Sequence, residues 1–376
     1  MRRNLGLALA LIAAAAIAAG LAGCAAGKGT TNNNYYITDD DASPGDDDND
    51  DDASPADDDN DDDATPGDDD DNDNDNDNDN DDIDDDSADS WSAMTSGTPW
   101  DLHGVWGSSA TDVFAVGSNV LHYDGASWAT TVSQPPAELF GLWGSSGSDV
   151  FAVGFNGSIL HYDGASWTPM TSGTTALLYA VWGASGANVF AAGTQYDAGG
   201  NPLAGVIVNY DGAVWSPMKT EPTAEFVGVW GDSAADVFAV GGSIMRYNGS
   251  TWSTMTSEPT AGLYSVWGSS AADVFAVGAG GYILNYRGGS SWTAMTSGTS
   301  ALLYGVWGGG PTDVFAVGTT FGAGGSPAGD VILFYNGSAW SPMTSGSTAG
   351  LYGLWGSSAT DVFAVGEAGT ILHYGP

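Results

Sequence analysis

The chain has one cysteine in 376 residues, six Lys and Arg together, and four histidines. A single thiol excludes an internal disulfide framework. Only Lys219, Arg246 and Arg287 among the basic residues lie beyond residue 90, so the bulk of the chain cannot neutralise phosphates. That excludes nucleic acid as a partner and disfavours direct adhesion to anionic lipid. Long apolar runs are equally scarce. The only candidate, LGLALALIAAAAIAAG at residues 5–20, is too short and too Ala-rich for a membrane span. Nor does any Ser–His–Asp or Cys–His order suggest a nucleophile.

What stands at the N-terminus is a targeting signal. MRRN is basic, the apolar run follows, and LAGC at residues 21–24 places small residues directly before the one cysteine. This resembles the lipobox of bacterial lipoproteins, which implies a signal peptide over 1–23 and lipid attachment at Cys24, on a lipidated N-terminus of residues 24–38. In the same resemblance, Ala25 stands where an Asp would retain the protein at the inner membrane. The expected location is therefore the outer membrane, on its periplasmic or cell-surface side.

Residues 39–90 hold 29 of the 47 acidic residues and no basic one, interrupted by SP, TP and an alternating DNDNDNDN. With almost nothing apolar to bury, this stretch reads as a disordered linker, extended by its own charge. Residues 25–90 could reach at most about 220 Å at full extension. Hard cations favour carboxylate oxygens, but the Gly and terminal Glu of an EF-hand-like loop are missing in register, so only weak, diffuse calcium binding is expected there, and no other cofactor.

Beyond residue 90 the sequence repeats itself. The unit exemplified by LYGLWGSSATDVFAVGEAGTILHY places a tryptophan at 106, 143, 182, 230, 267, 307 and 355, at spacings of 37 to 48 residues. A full unit contains four short β-rich runs divided by Gly, Ser, Asn and Asp clusters, as in LYGVWG, DVFAVG, ILHYDG and SWTPMTSG. Seven such units predict an all-β, seven-bladed β-propeller over 91–376 with four antiparallel strands per blade. The last unit lacks its fourth strand, and WSAMTSG at 91–97 is an orphan copy of it. The two are expected to complete one blade and close the ring.

The repeats resemble the WD40, kelch and YVTN-type propeller families in length and layout, and the tandem VWGSSxxDVFAVG repeats of bacterial surface lipoproteins. The WD40 Gly-His and Trp-Asp signatures are absent, and HYDGASW matches the sialidase Asp-box only loosely. The resemblance thus implies a fold and no particular activity.

Residues found in every unit serve what every unit needs. The seven tryptophans above, and a second set at 91, 128, 167, 215, 252, 292 and 340, are expected to pack between sheets. Asp112, Asp149, Asp236, Asp273, Asp313 and Asp361, with Asn188, are expected to cap backbone turns before the second strand. His122, His161 and His373 occupy one repeated position, too spread around a ring to share a metal.

The exceptions point to a site. Asp101, Glu138 and Glu225 share the position that starts the innermost strand and should rim the central channel. Trp100 is the one tryptophan outside both sets. The two longest units carry their extra residues between strands 2 and 3, at 194–205 with Tyr196 and at 319–330 with Phe321, on the same face. These six residues form a candidate binding mouth for a surface glycan, peptide or protein. The leading expectation is a non-enzymatic, monomeric recognition or scaffolding propeller. Two alternatives stand beside it: a carbohydrate-active hydrolase or lyase using paired carboxylates such as Asp101 and Glu138, and a calcium-responsive stalk.

Overall fold

A computed structural model describes residues 90–255, 262–322 and 325–375. Cys24, the leader, the acidic segment up to residue 89 and Glu258 lie outside the described residues. Among those described, no helix is long and apolar enough to cross a membrane.

Seven four-stranded antiparallel sheets follow one another along the chain. In blade 1 the strands are Leu102–Ser109, Asp112–Gly117, Val120–Tyr123 and Trp128–Val132. The second strand of each blade is an almost unbroken apolar run, as in DVFAVG, because the adjoining blades cover both of its faces. The fourth is buried at most at its leading tryptophan and is otherwise exposed or half-buried, rich in small residues such as Ser, Thr, Ala and Pro. Proline at 169, 217 and 342 lies on this outermost strand, where a missing N–H costs no ladder bond and discourages pairing with another chain.

Closure occurs as the repeats require. Ser90–Met94 pairs antiparallel with Ile371–Gly375, Trp91 opposite Tyr374, so both ends of the described chain complete blade 7.

Both tryptophan sets pack between blades. Phe114 of blade 1 lies between Tyr162 and Trp167 of blade 2, at ring-centroid distances of 5.5 and 6.0 Å. Phe363 of blade 7 does the same with Tyr123 and Trp128 of blade 1. The other set leans on glycine. A Cβ on Gly144 would meet the Trp106 ring at 2.6 Å, and the relation recurs at every interface around the ring.

Two expectations are corrected. The aspartates before the second strand do not cap backbone turns. Asp112 accepts hydrogen bonds from the Ser108 hydroxyl and, at 2.6 Å, bonds to His122 Nε2. Asp149 with Ser145 and His161, and Asp361 with Ser357 and His373, repeat the arrangement. The backbone-capping role belongs to Asp124, Asp163, Asp211, Asn248 and Asn336, between strands 3 and 4; Asp124 accepts the N–H groups of Ala126 and Ser127. Second, the insertions at 194–205 and 319–330 are mainly strand rather than loop. They lengthen strands 2 and 3 to Asn188–Tyr196 with Pro202–Tyr210, and to Asp313–Phe321 with Pro327–Tyr335. Regular alternation across Val206–Gly193 and Gly205–Thr194 lets the ladder continue up to the tight turn at Asp197–Asn201.

Candidate functional site

The first strand of each blade is innermost, packed against the first strands of both neighbouring blades. Each carries a β-bulge at its third position before the ring tryptophan. In blade 1 the register runs from Leu102 opposite Gly117 to Gly104 opposite Val116, leaving His103 as the extra residue. Phe140, Tyr179, Val227, Tyr264, Tyr304 and Tyr352 are the extra residues of the other blades. A bulge re-aims the side chain it carries, and all seven of these side chains line the central channel, a cavity of about 530 Å³.

The rings form a belt. Tyr264 stacks on Tyr304 at 5.4 Å, Tyr304 meets Tyr352 edge-on at 5.5 Å, and Tyr352 stacks on His103 at 5.5 Å. His103 continues to Phe140 at 4.9 Å, and Phe140 to Tyr179 at 5.8 Å. Val227 interrupts the belt between Tyr179 and Tyr264.

Most polar groups here are already engaged. The Tyr179 and Tyr196 hydroxyls bond to each other at 2.9 Å. Tyr352 Oη donates to Glu367 Oε1 at 3.1 Å, and Glu367 Oε2 accepts the Gly350 N–H. His103 Nε2 bonds Glu138 Oε1 at 3.0 Å. Burial pushes the phenols of Tyr179, Tyr196, Tyr304 and Tyr352 up from their ordinary value, and that of Tyr264 to about 12, so all stay neutral and uncharged near pH 7. Three groups stand apart among the described residues: Tyr264 Oη is buried with no hydrogen-bond partner, and neither the Tyr304 hydroxyl nor the Glu225 carboxylate has a hydrogen bond or ion pair. Burial alone pushes the Glu225 carboxyl up from its ordinary value.

Of the six residues singled out from sequence, Tyr196 and Glu225 line the channel cavity. Glu138 stands behind it, holding the lining ring of His103. Asp101 Oδ1 accepts the Ala368 N–H, tying blade 1 to the strand 2–3 turn of blade 7. Trp100 is 55% exposed, and Phe321 ends the blade 6 hairpin; neither lines the cavity. The structure thus gives Asp101 and Glu138 separate partners. Sequence reasoning missed the belt itself, although an aromatic ring three residues before the ring tryptophan in six of seven repeats was the signal for it.

The opposite face offers different chemistry. In each Ser–Asp–His set the carboxylate sits between hydroxyl and imidazole, so the imidazole does not contact the serine as it would in a Ser–His pair. Arg246 takes the histidine's place in blade 4 and grips Asp236 through two nitrogens. A second concavity, along the closure seam near Met94 and Ser345, is lined by backbone and small residues without a titratable group. No cluster of metal-ligating side chains occurs among the described residues.

No protein-family model and no curated protein matches the chain. Among solved structures it is similar to YCF48 bound to D1 peptide, at 16% identity and a TM-score of 0.59 over 76% of this chain and 95% of that one. YCF48 from Cyanidioschyzon merolae gives 14% identity and 0.59 over 76% and 99%. The WD40 β-propeller domain of Doa1 gives 11% and 0.60 over 75% and 95%. At these identities the likeness establishes the fold: the chain is a seven-bladed β-propeller resembling WD40-type domains.

Proposed function

We propose that the protein is a non-enzymatic recognition propeller that takes a polypeptide segment into the mouth of its central channel, held at the outer membrane by lipid on Cys24. The observation that carries the recognition reading is the aromatic belt around an open cavity of about 530 Å³. Rings of fixed orientation supply contact area at small entropic cost, which is the composition of a binding surface rather than of a filled core. A polypeptide is favoured over a glycan because the tyrosine hydroxyls that would satisfy sugar hydroxyls are mostly bonded to one another or to Glu367. That YCF48, a propeller of similar architecture, has been solved with a D1 peptide bound supports the same choice.

The anchor rests on the sequence. Removal of 1–23 would expose Cys24 for acylation, and the acidic stretch at 39–90 would serve as a spacer that binds cations only diffusely. Two measurements test the proposal. Cys24→Ser should move the protein from the membrane fraction to the soluble fraction, and persistence in the membrane would refute the anchor. The purified protein, probed on arrays of random peptides and of glycans, should bind a subset of peptides and no glycan; selective binding to glycans would refute the polypeptide reading.

A further inference from the structure

The belt of rings has one gap, and the gap coincides with the one carboxylate among the residues lining the cavity, Glu225, which has no partner among the described residues. Six of the seven bulge positions hold an aromatic ring; the seventh, Val227, is two residues from Glu225 in the same blade. Tyr179 and Tyr196 stand on one side of it and Tyr264 on the other. Glu225 lines the same cavity as these three phenols, and its charge acts on each of them. Tyr264 Oη, buried and without a partner, lies within that same influence. No Lys or Arg lines the cavity, and the only lining imidazole, His103, is held by Glu138 on the other side of Tyr179 and Phe140. Nothing in the described structure therefore neutralises Glu225.

We propose that this gap is a subsite for one basic side chain, Lys or Arg, of a polypeptide seated in the channel mouth. The cation would pair with the Glu225 carboxylate while its alkyl stem lies over Val227, between the faces of Tyr264 and the Tyr179–Tyr196 pair. A guanidinium or ammonium desolvated among phenol faces gains from ring quadrupoles as well as from the carboxylate. Charge complementarity extends beyond the subsite, since residues 91–376 carry 18 acidic side chains against three basic ones. Long-range attraction would thus favour basic segments and speed their arrival. Val227 fits the same account: a tyrosine there would close the belt and occupy the space the stem needs.

This inference rests on the polypeptide reading above, and the experiment separates the two. Purified protein is probed with a random peptide array, and the best binders are resynthesised with each Lys or Arg replaced by norleucine. Wild type, Glu225→Gln and Val227→Tyr are then compared by titration calorimetry, with thermal unfolding verifying that each variant is folded. The inference expects one basic position whose replacement weakens wild-type binding about tenfold or more. Glu225→Gln should show the same loss for the parent peptide and little further loss for the norleucine peptide, and Val227→Tyr should block both. Binders that tolerate replacement of every basic residue, or that bind Glu225→Gln as well as wild type, would overturn the subsite and leave polypeptide recognition standing. Absence of any peptide binder to folded wild type would overturn both.

Discussion

The six-membered edge of Trp355 occupies the place that a side chain on Gly107 would need, since a Cβ there would lie 2.6 Å from its Cη2 and Cζ3 atoms. This pair joins blade 7 to blade 1. Because the same Trp and Gly are adjacent in every repeat, each WG dipeptide both gives a ring to the next blade and accepts one from the blade before. Gly107→Ala should therefore cost about 1–3 kcal/mol through overpacking, aggravated by the backbone carbonyl of Asp112 nearby. Gly262→Ala, where a Cβ meets nothing within 4 Å, should leave stability unchanged or slightly raised. Chemical denaturation of the two variants checks the contrast, and equal stabilities would dissociate the WG repeat from interblade packing.

The closing strand makes a second prediction. Deleting residues 90–97 removes the partner of Ile371–Gly375 and uncovers an edge that Trp91 otherwise covers. The truncated protein should melt earlier and self-associate in size-exclusion chromatography. Unchanged melting and a monomeric profile would show that the seventh blade does not depend on its fourth strand.

Glu225 should carry a stability cost that depends on pH. Burial raises its carboxyl above the ordinary 4.5, so its folded state holds the proton more tightly than the unfolded chain does. For such a group the stabilising contribution is complete below about 4.5 and is lost as pH rises through the folded value. Glu225→Gln should accordingly raise the melting temperature at pH 7 and have little effect at pH 4. A variant that melts lower at pH 7 would mean that the carboxylate has a structural partner and is not held open for a ligand.

Blade number, four strands per blade and closure were legible because each depends on residues that recur: the two tryptophans, the DVFAVG run, and the orphan WSAMTSG. Of the residues that line the cavity, only those that broke the pattern stood out in the sequence, Glu225 and Tyr196. His103, Phe140 and the four belt tyrosines were hidden because strand alternation puts residue 103 on the same face as the interblade residue Val105. The bulge between Leu102 and Gly104 turns it toward the channel instead. Trp100 broke the pattern too, but it is 55% exposed and does not line the cavity. The aspartates before strand 2 showed their repetition but not their partners, which lie four residues back near the end of strand 1 and ten or twelve residues on in strand 3.

The most direct test of the account compares the two faces of the ring in one binding experiment. Tyr304→Ala with Tyr352→Ala opens the belt at the channel mouth, while His122→Ala with His373→Ala removes side chains that bond Asp112 and Asp361 on the other face. Each pair is titrated with a peptide selected by wild type, after thermal unfolding confirms a folded protein, with Val227→Tyr as the mouth variant should the tyrosine pair be unstable. The mouth variant should lose binding by about a hundredfold, the loss of two aromatic contacts worth ~3 kcal/mol together, while the opposite-face variant should bind as wild type does. Full binding by the folded mouth variant, or loss confined to the histidine pair, would contradict the claim that the channel mouth is where this propeller recognises its partner.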